Sequence, residues 1–149
     1  MILVMNMKDV IISITGTQKD PRGEIDRVEL VTAGKYGFED GECRFSYHES
    51  DLTGLEGTKT TFTVSPMGVV MSREGTLNSQ MLFQPGKKHV FLYNTPYGSA
   101  TMGVDTRMLK SDMDEHGGEL ELDYDINFEH NLVGRNQFKI NVKENQNHV

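Results

Sequence analysis

Residues 73–107, REGTLNSQMLFQPGKKHVFLYNTPYGSATMGVDTR, decide the fold. Two β-rich runs flank Pro85-Gly86, and a second turn at Asn94-Thr95-Pro96-Tyr97-Gly98 leads into another run. Apolar and polar residues alternate on each side of these turns, which gives each strand one buried and one wet face. The polar positions include Arg, Gln, Tyr and Thr beside the usual Lys and Glu, so the sheet is expected to carry a partly polar inner surface. None of this names a reaction.

The same period of two runs outward in both directions. Val10, Ile12 and Ile14 alternate, and Val28, Leu30, Thr32 and Tyr36 share the next face. Asp40-Gly41 marks a hairpin turn, because both residues tolerate the positive φ angles that a two-residue turn demands. Cys43, Phe45, Tyr47 and Glu49 form the following face. A glycine-punctuated link, Leu52–Gly57, precedes Thr60, Phe62 and Val64, and Pro66-Met67-Gly68 precedes Val69, Met71 and Arg73. Met81 with Phe83, then Phe91 with Tyr93 and Thr95, then Ala100 through Thr106, continue the pattern. Leu120, Leu122, Tyr124, Ile126 and Phe128 follow Gly117-Gly118, His130-Asn131 turns the chain, and Phe138, Ile140 and Val142 complete the last face. No stretch has a capped 3.6-residue period. Nine or ten strands with hairpin-length connections predict an all-β antiparallel meander, and closure into a barrel of about 8–10 strands removes the exposed edges. A β-sandwich is the alternative, but its Greek-key crossings need longer connections.

Composition narrows the classes. A chain of 149 residues is most simply one domain, 1–149, large enough to bury roughly two-thirds of its unfolded surface. Its single cysteine, Cys43, excludes an internal disulfide and favours a reducing compartment. Met1–Met5 is too short for a spanning helix, which needs about 20 apolar residues, and has neither the basic flank nor the cleavage site of a signal peptide. The chain reads as cytoplasmic, with no membrane partner. A net charge of −7 and scattered basic residues argue against nucleic acid. The nine methionines read as flexible core filling, or as an adaptable binding surface.

Several segments resemble a small bacterial family of uncharacterised proteins, the YwiB-like family: Ser50–Thr58, Asn78–Met81, Leu92–Gly98 and Gly117–Asp125, within a similarity running from about Lys8 to about Glu144. The resemblance implies a lipocalin-like, calycin-type β-barrel. It implies no activity, ligand or catalytic residue.

If the alternation holds, Glu49 and Arg73 point into the barrel near Tyr47, Tyr93, Thr95, Thr106 and Tyr124. Opposite charges in a low-dielectric interior are expected to pair, closing the barrel, or to meet a polar ligand. A register slip would move them all into water. The histidines His48, His89, His116, His130 and His148 lack metal-ligand spacing and read as solvated. Cys43 reads as a small buried hydrophobe with no signature of a nucleophile. Asp112-x-Asp114-x-His116-Gly117 imitates a calcium loop but fails at its fifth and twelfth positions, and reads as an acidic hairpin turn. Gly54-x-x-Gly57 lacks the spacing and the helix of a phosphate loop. Glu119–Asp125 reads as a solvated outer stripe of carboxylates, and residues 144–149 as a polar, frayed tail. No catalytic group, metal or cofactor motif emerges. The expected function is a small-molecule-binding barrel with a partly polar interior. The alternatives are a filled barrel serving structure or protein interaction, and an enzyme of unidentified chemistry.

Overall fold

The structure, a computed structural model, describes residues 6–145; the Met1–Met5 and 146–149 segments lie outside them. Ten strands follow in chain order: β1 (Lys8–Lys19), β2 (Ile25–Glu39), β3 (Glu42–His48), β4 (Thr58–Ser65), β5 (Gly68–Gly75), β6 (Asn78–Phe83), β7 (Lys88–Thr95), β8 (Gly98–Asp114), β9 (Gly117–Phe128) and β10 (Asn131–Glu144). Each pairs antiparallel with its sequence neighbours, and β1 pairs with β10 from Val10↔Glu144 to Lys19↔Arg135, so the meander closes into a barrel. Closure rules out the β-sandwich.

The turns follow from local chemistry. Asp40 and Gly41 take φ of 51° and 77° in the two-residue β2–β3 turn. The β9–β10 turn comes one residue earlier than the sequence suggests, at Glu129 and His130, both with positive φ; the Asn131 side chain steadies it by donating to the Glu129 carbonyl. Between β3 and β4 a single 3₁₀ turn, Asp51–Thr53, is capped by Ser50 and stopped by Gly54 in the left-handed region.

The predicted inner faces are the buried ones, except that Phe128, at the end of β9, is exposed. Val10, Ile12, Phe45, Val69, Phe83, Val104, Leu120 and Ile140 lie in the core, with Tyr36 among them. Phe45 stacks on Tyr36 on one side and on Phe62 on the other, with centroids 6.4 and 5.0 Å away. Tyr124 packs between Phe83 and Phe138. Each ring removed from water contributes about 1.5–3 kcal/mol. A Cβ at Gly16 would come within 2.4 Å of the Phe138 ring, so β1 yields its inner position there to an aromatic of β10.

Two β-bulges alter the phase. Arg107 is the extra residue of β8, between Thr106↔Tyr124 and Met108↔Asp123, and Val133 is the extra residue of β10. Up to Thr106 the even positions of β8 face inward; beyond the bulge Leu109 and Met113 take over. The wall is also uneven. β1, β2 and β8–β10 run 12–17 residues, while β3–β7 run 6–8. The wall has two weak seams, one where the long β2 meets the short β3 and one inside the short set. β2–β3 pairs only over Lys35–Glu39, and β6–β7 only at Asn78↔Asn94 and Ser79↔Tyr93.

Candidate functional site

One end of the barrel is ringed by the β1–β2, β5–β6, β7–β8 and β9–β10 connections and by the 3₁₀ turn. At this mouth lies a cavity of about 300 Å³. Its apolar wall includes Met71, Met81, Phe91, Met102 and Ile126, its polar wall Arg73, Ser79, Tyr93, Tyr124 and Asn136, and its rim Asp20, Glu24 and Asp26 from the β1–β2 connection. The far half of the barrel is closed by the Tyr36–Phe45–Phe62 stack. The two interiors expected as alternatives, filled and hollow, therefore coexist at opposite ends.

Arg73 stands on β5 opposite Thr60 of β4 and Ser79 of β6. Its Nε is buried with no hydrogen-bond partner among the described residues, and the same is true of Ser79 Oγ. A buried polar atom left unpaired costs roughly 1–3 kcal/mol, more when it belongs to a charged group. Two such atoms therefore face one another across the β5–β6 ladder on the wall of one cavity.

Glu49 is buried, as its alternation with Tyr47 predicts, but it does not pair with Arg73. Among the described residues no ion pair joins them. Instead Oε1 accepts a hydrogen bond from Thr60 Oγ1 (2.7 Å) and Oε2 accepts one from Thr53 Oγ1 (2.8 Å). The expected internal salt bridge is thus replaced by two hydroxyl donors, one from the neighbouring strand and one from the 3₁₀ turn. Tyr47 is close enough to feel both charges: burial, followed by the nearby Glu49, pushes its phenol well above the ordinary range, while Arg73 pulls it back. Tyr124 is pushed up to about 12 by burial, with Arg73 opposing, so at neutral pH it presents a protonated hydroxyl.

Of the seven residues expected inside, Arg73, Tyr93 and Tyr124 line the cavity. Tyr47 and Glu49 form the buried layer beside it. Thr106 is buried with its Oγ1 unpaired, outside the lining. Thr95 is the last residue of β7, where its hydroxyl donates to the Gly98 carbonyl and accepts from the Tyr97 amide. Ser79, Asn136 and the three methionines were not singled out from sequence. Inward parity was the available signal for Met71, Met81 and Met102, and nothing in the sequence pairs Ser79 with Arg73.

The outer carboxylates also differ from expectation. Asp123 and Asp125 are buried rather than solvated. Asp125 accepts two hydrogen bonds from Arg107, the bulge residue, at 2.8 and 3.0 Å, and Asp123 accepts from Arg135 and Gln137. The side chains of flanking strands lie over this stripe and exclude water. Glu144, expected to fray, is held by Lys8 and by His116 Nδ1 (3.0 Å), and these contacts lower its pKa. His89 is half-buried against Gln84 Oε1 at 2.7 Å, not freely solvated. Asp114 accepts from the His116 amide at 2.8 Å, as an acidic turn should. Cys43 is buried, and desolvation pushes its thiol up to about 11, which disfavours the reactive thiolate near neutral pH.

Comparison with known proteins agrees with this architecture. A family model described as "Domain of unknown function (DUF1934)" matches residues 12–140. The "Uncharacterized beta-barrel protein YwiB" of Bacillus subtilis (strain 168) is 27% identical over 104 residues, covering 70% of this chain and 72% of that protein. The crystal structure of the ywiB protein from Bacillus subtilis superposes with a TM-score of 0.84 at 22% identity, covering 95% of this chain and 96% of the other, a likeness of fold. The ten-stranded barrel and the match along most of its length make this chain a member of the DUF1934 family, similar to YwiB.

Proposed function

We propose that the protein binds a small molecule through its mouth cavity, and that the ligand carries an anionic group for Arg73 and an apolar body for the methionine and phenylalanine wall. The observation that carries this reading is the buried, unpartnered Nε of Arg73 beside the equally unpartnered Ser79 hydroxyl. A guanidinium offers planar, directional donors suited to a carboxylate or phosphate. Methionine side chains adapt to irregular shapes, so the pocket suits a body of varied outline. The volume is at the small end of ligand sites, which points to a compact molecule. Among the described residues, no paired acid and base or activated nucleophile supports an enzymatic reading. The stacked aromatics of the far half favour a second reading, a barrel whose interior serves only stability. The buried, free Cys43 supports a cytoplasmic setting.

Native mass spectrometry of protein purified from its own cells tests the proposal. The expected result is a co-purifying small anion that is lost in Arg73→Met. Loss of its charge-assisted hydrogen bond, roughly 1.5–3 kcal/mol, corresponds to a ten- to hundredfold weaker complex. Repeated preparations with no added mass would favour the second reading.

A further inference from the structure

β2 has a β1 partner over most of its length, from Lys19↔Ile25 to Lys8↔Tyr36. On its other side β3 covers only Lys35–Glu39. The edge of β2 from Ile25 to Ala33 has no strand beside it among the described residues, and no backbone hydrogen bond from turns or loops reaches it. An uncovered edge of this length is a template for another strand.

The outward side chains along this edge are Ile25, Arg27, Glu29 and Val31. Ile25 is 58% exposed and Val31 is 71% exposed, both large apolar groups left in water. Arg27 and Glu29 form no ion pair or side-chain hydrogen bond among the described residues. The order apolar, cation, anion, apolar is complementary to itself when reversed. With Val28 opposite its own copy in an antiparallel pair, Ile25 faces Val31 and Arg27 faces Glu29, each contact occurring twice. Opposite charges and apolar pairs directly across a ladder are favourable, and like charges are not. Centring the pair on Arg27 sets that arginine against itself, and centring it on Glu29 sets two carboxylates together. Charge therefore selects one register.

We propose that two copies of this chain associate through antiparallel β2–β2 pairing centred on Val28, joining two barrels edge to edge. The contact is narrow, so association depends on concentration, and its exposed ion pairs make it weaker at high salt.

Sedimentation velocity on the whole chain over a range of concentrations tests this. The wild type is expected to form a dimer, with amides of residues 25–33 gaining hydrogen-exchange protection as concentration rises. Arg27→Glu and Glu29→Arg, each alone, are expected to raise the dissociation constant at least tenfold, by setting carboxylate against carboxylate or guanidinium against guanidinium. Mixing the two single variants should give a heterodimer, because each then supplies the other's missing charge. The double exchange Arg27→Glu with Glu29→Arg should restore the homodimer. A wild type that stays monomeric at the highest concentration overturns the proposal. Single variants that dimerise as tightly as the wild type overturn it equally, because the contact would then lie elsewhere. If a variant fails to fold, exchange protection of the wild-type edge still decides: protection that rises with concentration supports the pairing, and protection that stays flat overturns it.

Discussion

Glu49 is held by two hydroxyls where a counter-charge was expected, and the difference can be measured. Thr60→Val removes the donor to Oε1 in a fully buried setting and should destabilise by about 1–3 kcal/mol, the cost of an acceptor left unsatisfied. In a double-mutant cycle read by urea unfolding, Thr60→Val and Glu49→Gln should couple more strongly than Arg73→Met and Glu49→Gln. The reverse order would mean that the ion pair forms in solution after all. The inward direction of Glu49, Arg73, Tyr93 and Tyr124 was legible, because period two fixes the face of every residue once the apolar ones are assigned. Their partners were not legible. Whether Glu49 meets Thr60, Thr53 or Arg73 depends on cross-strand stagger and on the path of the 3₁₀ turn, and neither has a sequence signal. Asp123 and Asp125 show the limit most clearly. Alternation correctly places them outside, yet burial is decided by Arg107 and Arg135 on flanking strands.

At the level of the strand, the sequence carried existence, order and face, and it missed the bulges. In β8 the even positions Ala100 to Thr106 alternate cleanly, after which Leu109 and Met113 occupy odd ones. That phase change is visible as a pattern but has no cause until Arg107 is seen as an extra residue with no register partner. Removal of Arg107 should leave every remaining β8 side chain on its present face, since Thr106 and Met108 already oppose consecutive residues of β9. The deletion is therefore expected to unfold cooperatively in urea with unchanged strand content by circular dichroism, losing only the bond to Asp125. Insertion of one alanine between Leu122 and Asp123 should abolish cooperative unfolding, because it turns Tyr124 and Ile126 outward. A deletion variant that lost its fold would show that the bulge, and not the phase, sustains the strand.

For the whole molecule, closure depends on β1 and β10, which carry ten residue pairs and join Val10 to Glu144. A chain ending after Phe128 lacks β10 and leaves β1 and β9 with unpaired edges, including the apolar run of Val10, Ile12 and Ile14. It is expected to aggregate on refolding, and a peptide spanning residues 131–145 supplied during refolding should recover soluble protein. A soluble, monomeric nine-stranded form would mean that β1 and β9 can meet directly. The same closure sets an order of events during synthesis. Each hairpin from β1–β2 to β8–β9 joins neighbours and can form as the chain emerges from the ribosome, whereas the ring cannot be completed until the last strand is released. Until that moment β1, the first strand made, waits with one side bare. For this protein the hazardous interval of its life falls between the first strand and the last, and a chaperone that shields Val10–Ile14 during that interval would act where it is most needed.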